Sequence, residues 1–290
     1  MGFLLSVLLG AIWAVVGSYV AAARKKGVPI WHFYATACFG AASLSWLLWL
    51  TDPAGTEMIP ELLLFLLPAA VLNAFCQALT MYNMKSSATA IAFSLPQLNF
   101  VMPFLFMVIF YDEQITLFSA VGLLLIICSI LFSGSNKKTD EDSPLMRPKE
   151  ILLALAAVIL GGASQTFLAV SAVAAAAPPL LKSAVLLTAN FCTYAIGGLF
   201  SGRKEFAVKE LIKYSAGWSI LATLSYIVLF KALEIMSKSG TTGIIFAVAG
   251  ACSIICFWGS SLILFRDKCS LRQIIVLVMI ICGTIAVRMA

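Results

Sequence analysis

The chain has 290 residues, of which 62% are apolar and 11% charged, with a formal net charge of +6. A soluble domain carries about a quarter charged residues, so this balance excludes a soluble globular fold and points to a bilayer as the solvent. The positive excess suits anionic lipid headgroups without a nucleic acid, and no nucleic-acid partner is expected.

Apolar runs of about 20 residues, the length that crosses a hydrocarbon core, recur along the whole sequence. They predict ten helices over 2–22, 30–50, 61–81, 88–110, 115–133, 151–173, 181–201, 214–233, 241–265 and 271–289. The first run is longer than a secretory leader and lacks a basic start and a small-residue cleavage site, so it is read as helix one. His32, the single histidine, opens helix two between Trp31 and Tyr34, a position that suits an interfacial anchor. In helix three, Asn73, Gln77 and Thr80 share one face. Helix four carries Pro96 and Pro103, each of which removes a backbone donor and clashes with the carbonyl four residues earlier. A kink or hinge is therefore expected around Gln97–Asn99. Helices five and ten have almost nothing polar near their centres and are expected at the periphery. Asn190 and Tyr194 share a face of helix seven, and the unbroken apolar runs argue against a β-barrel, whose strands would alternate.

Cytoplasmic loops retain excess Lys and Arg, and here the basic residues divide unevenly. Arg24, Lys25, Lys26, Lys85, Lys137, Lys138, Arg147, Lys149, Arg203, Lys204, Lys209, Lys213, Arg266, Lys268 and Arg272 fall on one side. Only Lys182, Lys231, Lys238 and Arg288 fall on the other. Both termini are expected on the non-cytoplasmic side of a cell (inner) membrane.

The segment from Ser86, SSATAIAFSLPQLNFVMPFLFMVIFYDEQITL, is echoed from Ser239 by SGTTGIIFAVAGACSIICFWGSSLILFRDKCSL. Phe93 pairs with Phe246 and Lys85 with Lys238 at a separation of about 153 residues, close to half of the chain. The polar stretch SGSNKKTDEDSPLMRPKE, Ser133 to Glu150, reads as a linker between copies. The expected organisation is a first five-helix repeat over 1–133, a cytoplasmic linker over 134–150 and a second repeat over 151–290. Five helices per copy, an odd number, force the second copy to enter the membrane from the opposite face. The expected fold class is thus all-α integral membrane, with ten transmembrane helices as two inverted five-helix repeats, a construction shared by many secondary transporters.

Polar side chains in lipid either join helices or line a cavity, and their depths are informative. Trp13, Asn73, Gln97, Asn99, Gln165, Asn190, Thr223, Tyr226 and Ser253 all fall within about one turn of their helix centres. This midplane belt predicts a solute site made by Trp13, Asn73, Gln77, Gln97, Asn99, Gln165, Asn190, Tyr194, Tyr226 and Ser253, with Pro96 and Pro103 as hinge. Interhelical hydrogen bonding is the alternative for each residue. No charged residue lies deep in a span, so proton coupling through an intramembrane carboxylate is not expected; coupling would use an acid near a helix end, such as Glu61, or be absent. Cys252 and Cys256 share a helix face but have no His or acidic neighbour, and nothing in the sequence calls for a metal ion or a cofactor. Neither a HExxH run nor paired carboxylates at an interface point to an enzyme.

Residues 113–132, EQITLFSAVGLLLIICSILF, and 267–286, DKCSLRQIIVLVMIICGTIA, each place an acidic residue and a short polar turn before an apolar helix containing Gly. In this the chain resembles the drug/metabolite transporter superfamily, whose ten-helix, EamA-like members are duplicated five-helix units. The start GAIWAVVGSYVAAARKKGVPIWHFY, with ALTMYNMKSSATAIAF, is most similar to the branch of the L-rhamnose/proton symporter. That branch has a Glu shortly after a Trp at the start of helix two, where this chain has His32 after Trp31, so proton symport does not carry over. The resemblance implies a central cavity bordered by helices one, three, four, six, eight and nine. It also implies a small solute, sugar-like or amino-acid-like, without naming it or its direction. Export of amphipathic or cationic solutes and a receptor role stay open as alternatives.

Overall fold

A computed structural model describes residues 1–86, 93, 95–113, 115–134, 148–201, 207–264 and 271–288. Most of the expected linker, residues 88–92 and 94 of the expected fourth helix, and Lys137, Lys138, Arg147, Arg203, Lys204, Arg266 and Lys268 lie outside the described residues.

The described chain is helical, with no strand. Ten α-helices form among these residues: α1 (Gly2–Lys25), α2 (Ile30–Trp49), α3 (Ile59–Ser86), α4 (Val101–Tyr111), α5 (Leu117–Gly134), α6 (Pro148–Ala174), α7 (Pro179–Phe200), α8 (Val208–Ser237), α9 (Ile244–Leu264) and α10 (Leu271–Arg288). Five stretches are long and apolar enough to cross a membrane: Gly2–Lys25, Thr56–Met84, Lys149–Ala174, Pro179–Phe200 and Val208–Ser237. Shorter apolar stretches lie at Pro96–Tyr111, Leu117–Ser129, Ile244–Ser260 and Ile274–Ala286. Helix is the state these sequences must adopt in lipid, because it satisfies every backbone donor and acceptor within one segment.

Helix four is not regular along its length. Leu95–Phe100 is a 3₁₀ segment that leads into α4. Pro96 and Pro103 cannot donate to the helical ladder, and a tighter 3₁₀ turn is how the backbone absorbs that loss. Pro68, inside α3, leaves that helix continuous.

The helices associate in a defined set of pairs: α2 with α7, α5 with α10, α3 with α6, α1 with α8, α1 with α9, α2 with α8, α3 with α7, and α6 with both α4 and the 3₁₀ segment. Water drives none of this inside a bilayer, so the contacts rely on small residues and interhelical hydrogen bonds. Ser219 Oγ donates to the Ala37 carbonyl at 2.8 Å and Thr223 Oγ1 to the Ala41 carbonyl at 3.1 Å, riveting α8 to α2. Ser164 Oγ donates to the Ala69 carbonyl at 2.8 Å and does the same for α6 and α3. Two glycines permit close crossings. A Cβ at Gly10 would lie 2.5 Å from the Ala249 carbonyl oxygen of α9, and one at Gly162 would lie 2.9 Å from the Asn99 carbonyl oxygen. Leu4, Leu64, Leu152, Ile159 and Leu199 face outward, as a lipid-facing surface requires.

One contact fastens helix ends that are far apart in sequence. The loop after α4 turns at Asp112, which is left-handed with φ 52°. The turn directs the buried Glu113 carboxylate onto the start of α9, where it accepts the Thr242 N–H at 2.6 Å and the Gly243 N–H at 2.9 Å. The first N–H groups of a helix lack intrahelical partners and carry partial positive charge, so a carboxylate is a well-matched cap.

Candidate functional site

Between the helices lies a cavity of about 120 Å³. One water-sized sphere occupies roughly 10–15 Å³ on the same measure, so the space holds a small molecule and not a lipid chain. Its wall is built by α1, α3, the 3₁₀ segment, α6, α8 and α9. Trp13 comes from α1, Asn73 and Gln77 from α3, Pro96, Gln97 and Asn99 from the 3₁₀ segment, Gln165 from α6 and Tyr226 from α8. The structure therefore brings together most of the residues that the midplane belt singles out.

Others of that belt stand elsewhere. Asn190 is buried behind the wall, where its Oδ1 accepts the Asn73 Nδ2–H at 3.3 Å. Asn73 also donates to the Tyr226 hydroxyl at 3.4 Å, so α3, α7 and α8 meet in one polar knot. Tyr194 stacks on Tyr34 with ring centroids 4.8 Å apart, and the Tyr34 hydroxyl donates to Gln77 Oε1 at 3.4 Å. Asn190 thus touches the wall from outside it, while Tyr194 is one residue further back, behind Tyr34. Ser253 is fully buried in α9 and donates to the Gly250 carbonyl at 2.8 Å. Thr223 faces α2, and Pro103 is buried within α4.

The wall also contains residues that depth alone does not single out. Phe93 stacks on Phe257 at 4.1 Å and packs against Gly17. Trp218 lies one-third of the way along α8, edge-on to both Phe33 and Tyr34. Cys76, Ser164 and Ser225 complete the polar surface. Only the rotation of each helix about its own axis puts these side chains inside, and hydropathy does not report rotation.

The hydrogen-bond ledger of the wall is uneven. The hydroxyls are spent: Thr80 donates to the Cys76 carbonyl, Ser164 to that of Ala69 and Ser225 to that of Ala222. Among the described residues the side-chain amides of Gln97 and Asn99 make no hydrogen bond, and Gln165 Oε1 and Trp218 Nε1 are buried without a partner. Among the described residues no Lys, Arg, Asp, Glu or His contributes to the wall. No group of three or more metal-ligating side chains converges among the described residues.

A neutral, amide-lined cavity between membrane helices suits passage or binding of a polar solute. Residues 1–135 match the EamA-like transporter family. That match covers just under half of the chain and says what its first part is similar to. With five stretches long and apolar enough to cross a membrane, the described chain has the make-up of a multi-pass membrane protein. No curated protein sequence matches it. A protein solved by crystallography superimposes with a TM-score of 0.72 at 14% sequence identity, over 98% of this chain and 98% of that one. At that identity the likeness is one of fold, and it covers this chain nearly end to end.

Proposed function

We propose that the protein is a secondary transporter that moves a small polar solute across a cell membrane by alternating access, with the central cavity as its binding site. The observation that carries this reading is the pattern of helix pairing. Exchanging each helix for the one five places on turns α3 with α6 into α8 with α1, α1 with α9 into α6 with α4, and α2 with α8 into α7 with α3. The pairs α2 with α7 and α5 with α10 map onto themselves. Two five-helix halves related in this way, inverted as the loop charges imply, give two states of similar energy from one scaffold. The 3₁₀ segment that carries Pro96, running into α4 with Pro103, is the natural hinge, because its backbone is already released from the α-helical ladder.

On this reading the ends bearing Arg24, Lys85, Lys149 and Lys213 face the cytoplasm, and both termini face away. The cavity wall reaches Val20 and Met84, next to those basic ends, while Glu113 holds the opposite ends of α4 and α9 together. The state described is then the cytoplasm-facing one. With no carboxylate in the wall, the simplest coupling is uniport or exchange.

Reconstitution of the purified protein in proteoliposomes tests the reading. Efflux or uptake of a bound solute, saturable and abolished by heat denaturation, is expected. Saturable binding without flux in either direction would instead make the protein a receptor.

A further inference from the structure

The wall carries unspent hydrogen-bonding capacity and no formal charge. Gln97, Asn99 and Gln165 each offer a carbonyl acceptor and an amide donor, and the Trp218 indole adds one N–H donor. Trp218 is 93% buried, its exposure being 7%, so its N–H was taken out of water on folding without a replacement bond. Gln165 Oε1 has the same history. An unpaired buried donor and acceptor are costly, and both belong to residues of the cavity wall, so a ligand that these side chains turn to meet would pair them.

Resting on the transporter reading of this cavity, we infer that the site selects an uncharged solute of about ten non-hydrogen atoms, one that presents hydroxyl or amide groups to Gln97, Asn99, Gln165 and Trp218. Such a solute exchanges its water hydrogen bonds for amide ones nearly one for one. A carboxylate or ammonium of equal size leaves its hydration shell and meets no counter-charge, a loss that neutral dipoles do not restore. A zwitterion suffers twice. Of the aromatic residues of the wall, Phe93 is covered by Phe257 on one face and Trp218 is wedged against Phe33 and Tyr34, so neither of these two is free to enclose a cation.

The test is ligand-induced thermal stabilisation of the purified full chain in detergent, since a ligand that favours the folded state raises its melting temperature. The probes are xylitol and glucose as hydroxylated solutes and succinamide as the amide. Gluconate supplies the carboxylate arm, and glucosamine and tetramethylammonium supply the cations. At least one uncharged probe should stabilise saturably, and the charged probes should bind on the order of a hundredfold more weakly or not at all. Trp218→Phe and Gln165→Leu should each weaken the uncharged probe roughly three- to tenfold; if one variant is poorly folded, the other carries the comparison. The inference is overturned by a charged probe that binds as tightly as the best uncharged one. It is equally overturned if no uncharged probe binds up to roughly 100 mM, or if the folded variants bind like the wild type. Flux is not read in this assay, so a protein that binds xylitol or glucose selectively but moves neither across a vesicle refutes transport and leaves the selectivity standing.

Discussion

Glu113 gives the sharpest energetic prediction. Its carboxylate, only 8% exposed, accepts two N–H groups of the other half of the chain, at 2.6 and 2.9 Å. A hydrogen bond to a charged group contributes about 1.5–3 kcal/mol net, so Glu113→Ala removes about 3–6 kcal/mol of interaction and strands the Thr242 and Gly243 donors. Water entering the vacated space restores part of this, leaving a loss of about 3 kcal/mol. At about 2 °C per kcal/mol for a chain of this size, the melting temperature should fall by about 6 °C. Glu113→Gln keeps the volume and one acceptor oxygen but turns an NH₂ toward the second donor, so it should fall between wild type and Ala. Asp112→Gly is the control next door. That side chain is exposed and its φ of 52° suits glycine, so the change should be neutral or stabilising by up to about 1 kcal/mol. Scanning fluorimetry on purified protein in one detergent reads all three. If Glu113→Ala melts within about 2 °C of wild type, or Gln matches Glu, the carboxylate is not a cap and the reasoning fails.

Gly162→Ala forces a Cβ to within 2.9 Å of a backbone oxygen and should destabilise by about 1–3 kcal/mol, whereas Gly198→Ala meets nothing within 4 Å and should gain about 0.5–1 kcal/mol. Equal melting shifts for the two would contradict the close crossing of α6 with the 3₁₀ segment. Lys182 is 5% exposed and donates to the Ser171 carbonyl at 3.0 Å, but that oxygen also accepts the Ala175 N–H at 3.2 Å. Lys182→Met therefore leaves no orphaned acceptor and removes a buried charge, so stability should change by less than about 1 kcal/mol; a loss of several would show that the ammonium has a further partner. Cys76 is the cysteine of the cavity wall, and a solute that stabilises the protein should slow its alkylation by N-ethylmaleimide, read by peptide mass spectrometry, while leaving exposed Cys192 unaffected. Unchanged Cys76 labelling with ligand bound would place the ligand elsewhere.

Much of this molecule is written in one dimension. The apolar runs predict helices that the described residues reproduce in place, because a backbone in lipid has no other partner for its polar groups, although the third and eighth run longer than expected and the fourth is α-helical only from Val101. Position along a helix is also linear information, and Asn73, Gln77, Gln97, Asn99 and Gln165, singled out by it, line one cavity. Tertiary structure decided rotation and long-range pairing. Thr223 and Ser253 belong to the same sequence belt yet turn into helix seams, and Trp218, outside that belt, lines the cavity. Glu113, read from sequence as a charge near a helix end, caps a helix more than a hundred residues away. Hydropathy separates lipid from water but is blind to neighbours within the membrane, where one apolar surface is as good as another. Which face of a helix looks inward is settled only by fitted small residues and hydrogen bonds between segments that the sequence keeps far apart.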